Sequence, residues 1–78
     1  MVALLFEVFE DETGGYYAHA KAGIHDLFTQ GETLDELKRN LDEVSQLYLE
    51  DLIEETGKAI PEGITYSMIY HGRVKIPA

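Results

Sequence analysis

The sequence predicts an α+β fold in which one long helix packs on one face of a small antiparallel sheet. Three observations lead to this prediction. Apolar residues occupy alternate positions near both ends of the chain, they recur at steps of three and four in a long central segment, and glycine or proline stands at the boundaries. The predicted order is β-β-β-α-β. With 78 residues, the chain is expected to form one domain, residues 1–78.

The N-terminal part predicts three strands joined by tight turns. Residues 2–9 alternate between two faces and contain β-branched and aromatic side chains, as a strand does. The acidic, glycine-containing segment 10–15 interrupts them, and residues 16–21 predict a second strand. We interpret residues 22–23 as the next turn and residues 24–29 as a short third strand. Two short connections in succession favour an antiparallel arrangement.

The central segment predicts a helix from Thr33 to about Thr56. Thr33 and Glu36 have the spacing of a capping box, Gly57 stands where a C-terminal cap belongs, and Pro61 prevents continuation. The predicted buried stripe consists of Leu34, Leu37, Leu41, Val44, Tyr48 and Leu52.

The C-terminal part predicts a fourth strand over residues 64–70. Its even-numbered residues are all apolar or aromatic and share one face. We interpret His71 and Gly72 as a turn and residues 73–76 as a short tail strand.

Composition excludes several functional classes. The net charge of −9 disfavours direct binding to nucleic acid and favours a basic partner. The chain has no cysteine, which excludes disulfides and thiolate metal sites, and we predict no cofactor. No stretch approaches the ~20 apolar residues of a membrane span, and the short apolar start lacks the basic residues of a signal peptide. We therefore expect a cytoplasmic protein that does not bind membranes.

Several motifs in order resemble the HicB-type antitoxin family. They are the run Gly14-Gly15-Tyr16-Tyr17-Ala18, the run from Thr29 to Leu37 (Thr-Gln-Gly-Glu-Thr-Leu-Asp-Glu-Leu), the pair Asn40-Leu41 and the run Tyr48-Leu49-Glu50. The motif residues that we interpret as mainly structural are Gly15, Tyr16, Ala18, Gly31, Thr33 and Glu36.

The resemblance implies a degenerate ribonuclease-H-like fold that has lost its catalytic acids. It also implies self-association and binding to a small, basic, messenger-cleaving toxin of the HicA type. Many family members carry a C-terminal DNA-binding domain as well. This sequence ends at Ala78 without residues for that domain, so we expect no direct contact with nucleic acid. It also has Ala22-Gly23 where the family usually has Pro-Gly.

The candidates for catalysis are weak. The acids Glu10, Asp11 and Glu12 are expected at a solvated hairpin tip, since consecutive strand residues point in opposite directions. His19 is expected near Asp26 as a surface cross-strand pair, with no plausible nucleophile nearby, since Ser45 and Ser67 lie on other elements. We therefore predict no catalytic residue, no metal ligand and no enzyme activity. A metal-dependent nuclease using Asp26 or Glu7 is the competing hypothesis.

The end of the predicted helix is unusually acidic. Glu50, Asp51, Glu54 and Glu55 form like-charge pairs four residues apart, at the negative end of the helix dipole. This surface is either a solvated face or a contact for a basic partner. For a partner, we expect Tyr66 and Tyr70 of the last strand to contribute to the contact.

Apolar residues also occur away from the predicted core. Leu49 and Ile53 lie off the helical stripe, and Leu5, Phe9 and Tyr17 lie on the second face of the sheet. One helix covers only one face, so these five residues predict self-association into a homo-oligomer.

The function expected from these features is that of a HicB-like protein-interaction domain, an antitoxin that masks a basic toxin. The alternative is a stand-alone homo-oligomer that binds a small molecule or has a structural role, without a toxin partner.

Overall fold

The computed structural model describes residues 2–59 and 63–73, and it confirms the predicted α+β fold and the order β-β-β-α-β. Its elements are β1 (Val2–Glu10), β2 (Tyr16–Ala22), β3 (His25–Gly31), α1 (Leu34–Thr56) and β4 (Ile64–Arg73).

The sheet is mixed, with the strand order β3-β2-β1-β4. β1 pairs with β2, and β2 with β3, in the antiparallel sense that the sequence predicted. β4 instead runs parallel to β1. The direction follows from the connections: β3 runs the same way as β1, α1 returns across the sheet, and the next strand then runs with β1 again. A crossover helix is the usual link into a parallel pair.

β4 is one continuous strand, so the predicted turn at His71-Gly72 is wrong. Val8 pairs with Tyr70 but Phe9 pairs with Gly72, which makes this place a bulge. Gly72 has φ 78°, a value that glycine adopts without strain. Of the predicted tail strand, Arg73 ends β4 and residues 74–76 lie outside the described part of the chain.

The turn between β2 and β3 is shifted by one residue from its prediction. Ala22 pairs with His25, so the turn consists of Gly23 and Ile24. Gly23 has φ 64° and is the first turn residue, the position that a type II′ hairpin reserves for glycine. Ile24 is 94% exposed at the tip.

The core lies between α1 and one face of the sheet. Its buried apolar residues come from β1, β2 and α1: Leu4, Phe6, Val8, Ala18, Ala20, Leu37 and Leu41. The alanines of β2 leave room for the helix to approach. The prediction of Leu34 as a core residue is wrong, since its side chain is 46% exposed. Helical side chains lean toward the N-terminus, so the first residue of α1 points beyond the packed turns.

Both ends of α1 carry the predicted caps. The Thr33 hydroxyl accepts a hydrogen bond from the backbone N–H of Glu36 at 3.1 Å. Gly57, with φ 69°, donates its N–H to the carbonyl of Ile53 at 2.8 Å. These caps satisfy backbone groups that the helix leaves unpaired.

Candidate functional site

The motif residues meet where the helix begins on the sheet. Tyr16 pairs with Gly31 across β2 and β3, and Gly15 precedes the pair with φ 84°. A Cβ on Gly31 would lie 2.5 Å from the backbone nitrogen of Leu37, so this position requires glycine. Ala18 is fully buried. These residues position the start of α1 against the sheet, which is a structural role.

The acidic helix end, consisting of Glu50, Asp51, Glu54 and Glu55, is exposed to solvent. The last turn of α1 carries no basic residue. Glu55 lies 3.5 Å from the His25 imidazole, a contact that does not reach the other three acids. Within residues 2–59 and 63–73, Glu50, Asp51 and Glu54 have no salt-bridge partner. Four carboxylates thus stand over two turns with their charge largely uncompensated.

Leu47 is a surface residue that the sequence interpretation missed. It is 53% exposed and precedes Glu50 by three positions and Asp51 by four, so it shares their side of the helix. An exposed leucine beside carboxylates offers an apolar anchor inside a charged surface. A helical wheel could have predicted the exposure of Leu47, because this residue lies far from the buried stripe that includes Leu41.

Tyr66 connects β4 to the helix. Its hydroxyl donates to Asp42 Oδ1 at 2.7 Å, and its ring meets Phe6 edge-on at 5.9 Å. Burial, and then the hydrogen bond to Asp42, raise the pKa of the phenol to about 12. Asp42 precedes Glu50 by eight residues, or ~12 Å along the axis. The structure therefore does not join Tyr66 to the acidic helix end.

Tyr70 lies further along β4 and is 56% exposed. Its hydroxyl donates to Glu10 Oε2 at 2.7 Å, which ties the end of β4 to the end of β1. The predicted partner contact that includes Tyr66 and Tyr70 is thus divided between two places in the fold.

The residues predicted for self-association also divide into two groups. Leu49 and Ile53 are half-buried in α1, and the 100° step of the helix places them on the same side as Asp42, which contacts β4. This position accounts for their burial within one chain. Leu5, Phe9 and Tyr17 lie on the opposite side of the sheet, so the five residues do not form one surface.

That opposite side of the sheet, which no described element covers, carries a row of stacked rings across all four strands. We define the open face by Leu5, Phe9, Tyr17, Phe28, Ile69 and His71. The Phe9 ring lies 4.7 Å from the His71 ring and 5.2 Å from the Tyr17 ring, and Tyr17 lies 6.1 Å from Phe28. Leu5 is 52%, Phe28 59% and Ile69 44% exposed. A solvated sheet face is ordinarily polar, so this one is unusual.

Two imidazole–carboxylate pairs lie on the same face. His19 Nε2 is 3.3 Å from Asp26 Oδ1, close to the predicted pair, and His71 Nε2 is 3.2 Å from Glu7 Oε1. Glu7 lies on β1 and Asp26 on β3 with β2 between them, which separates them by ~10 Å. In the part of the chain that the structure describes, no three histidine or acidic residues lie close enough to hold a metal ion.

An open cleft of about 320 Å³ lies between the β1–β2 loop and the start of α1. Its charged lining consists of Asp11, Glu32 and Glu36. The rest of the lining is uncharged: Gly14, Gly15, Tyr16, Tyr17, Gln30 and Gly31. Thr13 donates from its backbone N–H and its hydroxyl to Asp11 at 2.9 and 2.8 Å, which lowers the pKa of that carboxyl. The cleft is therefore acidic and suits a cation.

Comparison with protein-family models, with curated proteins and with solved structures returned no match. None of the described helices is both long enough and apolar enough to span a membrane. The resemblance to HicB-type antitoxins thus stands on the sequence motifs alone.

Proposed function

We propose that this protein is a HicB-like, cytoplasmic protein-interaction domain that neutralises a small basic messenger-cleaving toxin of the HicA type by masking it. The sequence motifs support the family, and the acidic helix end is the single observation that carries the function. The proposed role requires no catalytic residue in this chain.

Charge explains why the helix is the contact surface. α1 carries eight acidic and two basic side chains, and its last turns place carboxylates where the helix dipole is already negative. Each like-charge pair four residues apart costs a few tenths of a kcal/mol. A basic partner relieves this repulsion on binding, and the acidic field increases the rate of encounter.

Leu47 supplies the apolar part of the contact. Affinity in protein interfaces comes mainly from a few anchors that become fully desolvated, whereas surrounding charges set orientation and rate. A half-exposed leucine flanked by Glu50 and Asp51 matches that arrangement. Binding here would cover the toxin's basic RNA-binding surface and exclude its substrate.

The proposal is tested by asking whether a short basic protein is encoded next to this chain and by expressing the two together. We expect the pair to co-elute and the chain to suppress RNA cleavage and growth arrest. The double change Glu50→Lys and Glu54→Lys should weaken inhibition by at least about tenfold, or ~1.4 kcal/mol. Glu12→Lys is the single-charge control, because it reverses one exposed charge in the β1–β2 loop near the opposite end of the helix.

Two results would contradict the proposal. One is the lack of any short basic neighbour that co-elutes with the chain. The other is equal inhibition by the double helix variant, the hairpin control and the unchanged protein.

The acidic cleft favours the alternative, a stand-alone homo-oligomer that binds a small molecule. Three carboxylates around about 320 Å³ suit a small organic cation such as a polyamine. This alternative predicts that spermidine raises the melting temperature and that Glu32→Gln removes the effect. An antitoxin without a small ligand shows no such change.

A further inference from the structure

We propose that the open face packs against the open face of a second copy of this chain, forming a two-fold sandwich with the two acidic helices outside. This inference does not depend on the toxin. It assigns self-association to the sheet face alone and leaves the helix free for a partner.

The first argument is the composition of the open face. Its aromatic row crosses β4, β1, β2 and β3, and Leu5, Phe28 and Ile69 add apolar surface beside it. Contiguous exposed apolar surface of this kind marks an interaction site. In sheet-on-sheet packing, side chains from two such faces form a shared core ~10 Å thick.

The second argument is size. Four strands spaced ~4.8 Å apart, with seven to ten residues at ~3.3 Å each, give a face of roughly 500 Å² in projection. The accessible area of a face studded with rings exceeds its projection. The accessible area of the open face therefore approaches the ~800 Å² per partner that a stable interface buries.

The third argument is charge, which selects a second copy as the occupant. The described charged side chains on the open side of the sheet are Glu7, Lys21 and Asp26, and each carboxylate faces a histidine. A chain of net charge −9 therefore presents a nearly neutral face here, whereas eight of its fifteen acids lie on α1. A basic partner is attracted to the helix, and a second copy meets little repulsion at the sheet.

The geometry of the sandwich separates the acidic layers. Two sheets ~10 Å apart, each covered on its outer side by a helix roughly 10 Å wide, place the helix axes about 30 Å from each other. Salt at physiological concentration screens charges beyond ~8 Å. Repulsion between the two helices is therefore small.

Sedimentation at micromolar concentration tests the proposal. We expect a particle of twice the 8.8 kDa chain mass. Leu5→Lys should weaken the dimer about 100-fold, because a symmetric interface contains each substitution twice. Leu47→Lys is the matched control on α1, with nearly the same exposure, and should leave the dimer intact. Circular dichroism verifies that both variants keep their helix.

Three outcomes would overturn the proposal: a monomer, a dimer that survives Leu5→Lys, or a dimer lost only with Met68→Lys. The last would place the contact at the edge of β4, where Met68 is 43% exposed.

A measurement on the unchanged protein avoids any dependence on variants. A soluble paramagnetic probe should broaden the NMR signals of Ile24 and Leu47 and spare Phe28. Equal broadening of Phe28 would also refute the dimer.

Discussion

Gly31 lies in close contact with the backbone of the first turn of α1. A Cβ there would lie 2.5 Å from the Leu37 nitrogen and 2.9 Å from its Cα, and backbone atoms move only if the whole helix moves. Gly31→Ala should therefore lower the free energy of unfolding by about 2 to 3 kcal/mol, as overpacking does. Urea unfolding measures the loss. Gly23→Ala, with φ 64° but open space around it, should lose only about 1 kcal/mol. Equal losses would show that the close contact at Gly31 does not matter.

Ser45 is a second residue whose environment makes a definite prediction. Its side chain is 2% exposed, and its hydroxyl has no hydrogen-bond partner in the described structure. Ser45→Ala should raise the free energy of unfolding by about 1 kcal/mol, because it removes an unpaired buried hydroxyl and adds helix propensity. Ser67→Ala, at an exposed position on β4, should change stability by less than about 0.5 kcal/mol. A loss of stability in Ser45→Ala would mean that the hydroxyl is hydrogen-bonded.

At the scale of elements, the Tyr66–Asp42 bond joins β4 to α1 and gives stability a dependence on pH. The pKa of Tyr66 is about 12 in the folded protein against its ordinary 10, so the native state keeps a proton that the unfolded chain releases. This contribution is complete below pH 10 and is lost as the pH rises through 12. Chemical unfolding should show a steeper loss over this window in the unchanged protein than in Tyr66→Phe. Asp42→Asn should lower the phenol pKa in an absorbance titration. Identical pH profiles would contradict the assignment.

Elements defined by local signals were predictable, whereas those defined by distant neighbours were not. The bounds of α1 follow from Thr33 and Gly57, which act through hydrogen bonds within a few residues. The direction of β4 follows from the return crossing of α1, and its place beside β1 depends on which strand edge is free; nothing within its own sequence specifies either. His71-Gly72 has the same local signature in a turn as in a bulge, and only the pairing with β1 decides between them.

Among the candidate surfaces too, those built from neighbouring residues were predictable and those built from distant strands were only partly so. The acidic helix end is visible in the sequence because its residues are close together in the chain. The open face is only partly visible: alternation places Phe9 and Tyr17 on it, but adding Phe28 and His71 requires the register of all four strands. The wheel also identifies Leu49 as off the stripe without showing that β4 lies on that side.

For the whole molecule, the separation of charge and apolar surface into two layers predicts opposite responses to salt. In the proposed complexes, the helix surface acts through long-range charge, which salt screens, whereas the open face acts through apolar burial, which salt does not weaken. Raising sodium chloride from about 0.05 to 0.5 M should slow association with the proposed basic toxin by at least about tenfold. The dimer dissociation constant should stay within about threefold, or fall.

Stopped-flow kinetics measures the association rate, and sedimentation equilibrium measures the dimer under the same conditions. Glu12→Lys should leave both responses nearly unchanged, because it alters the net charge without altering either surface. If salt dissociated the dimer, the neutral open face would not be the interface. If salt left the toxin association rate unchanged, the acidic helix end would not be the docking surface. The two surfaces are thus tested independently in one salt series, since a different measurement would contradict the proposal for each.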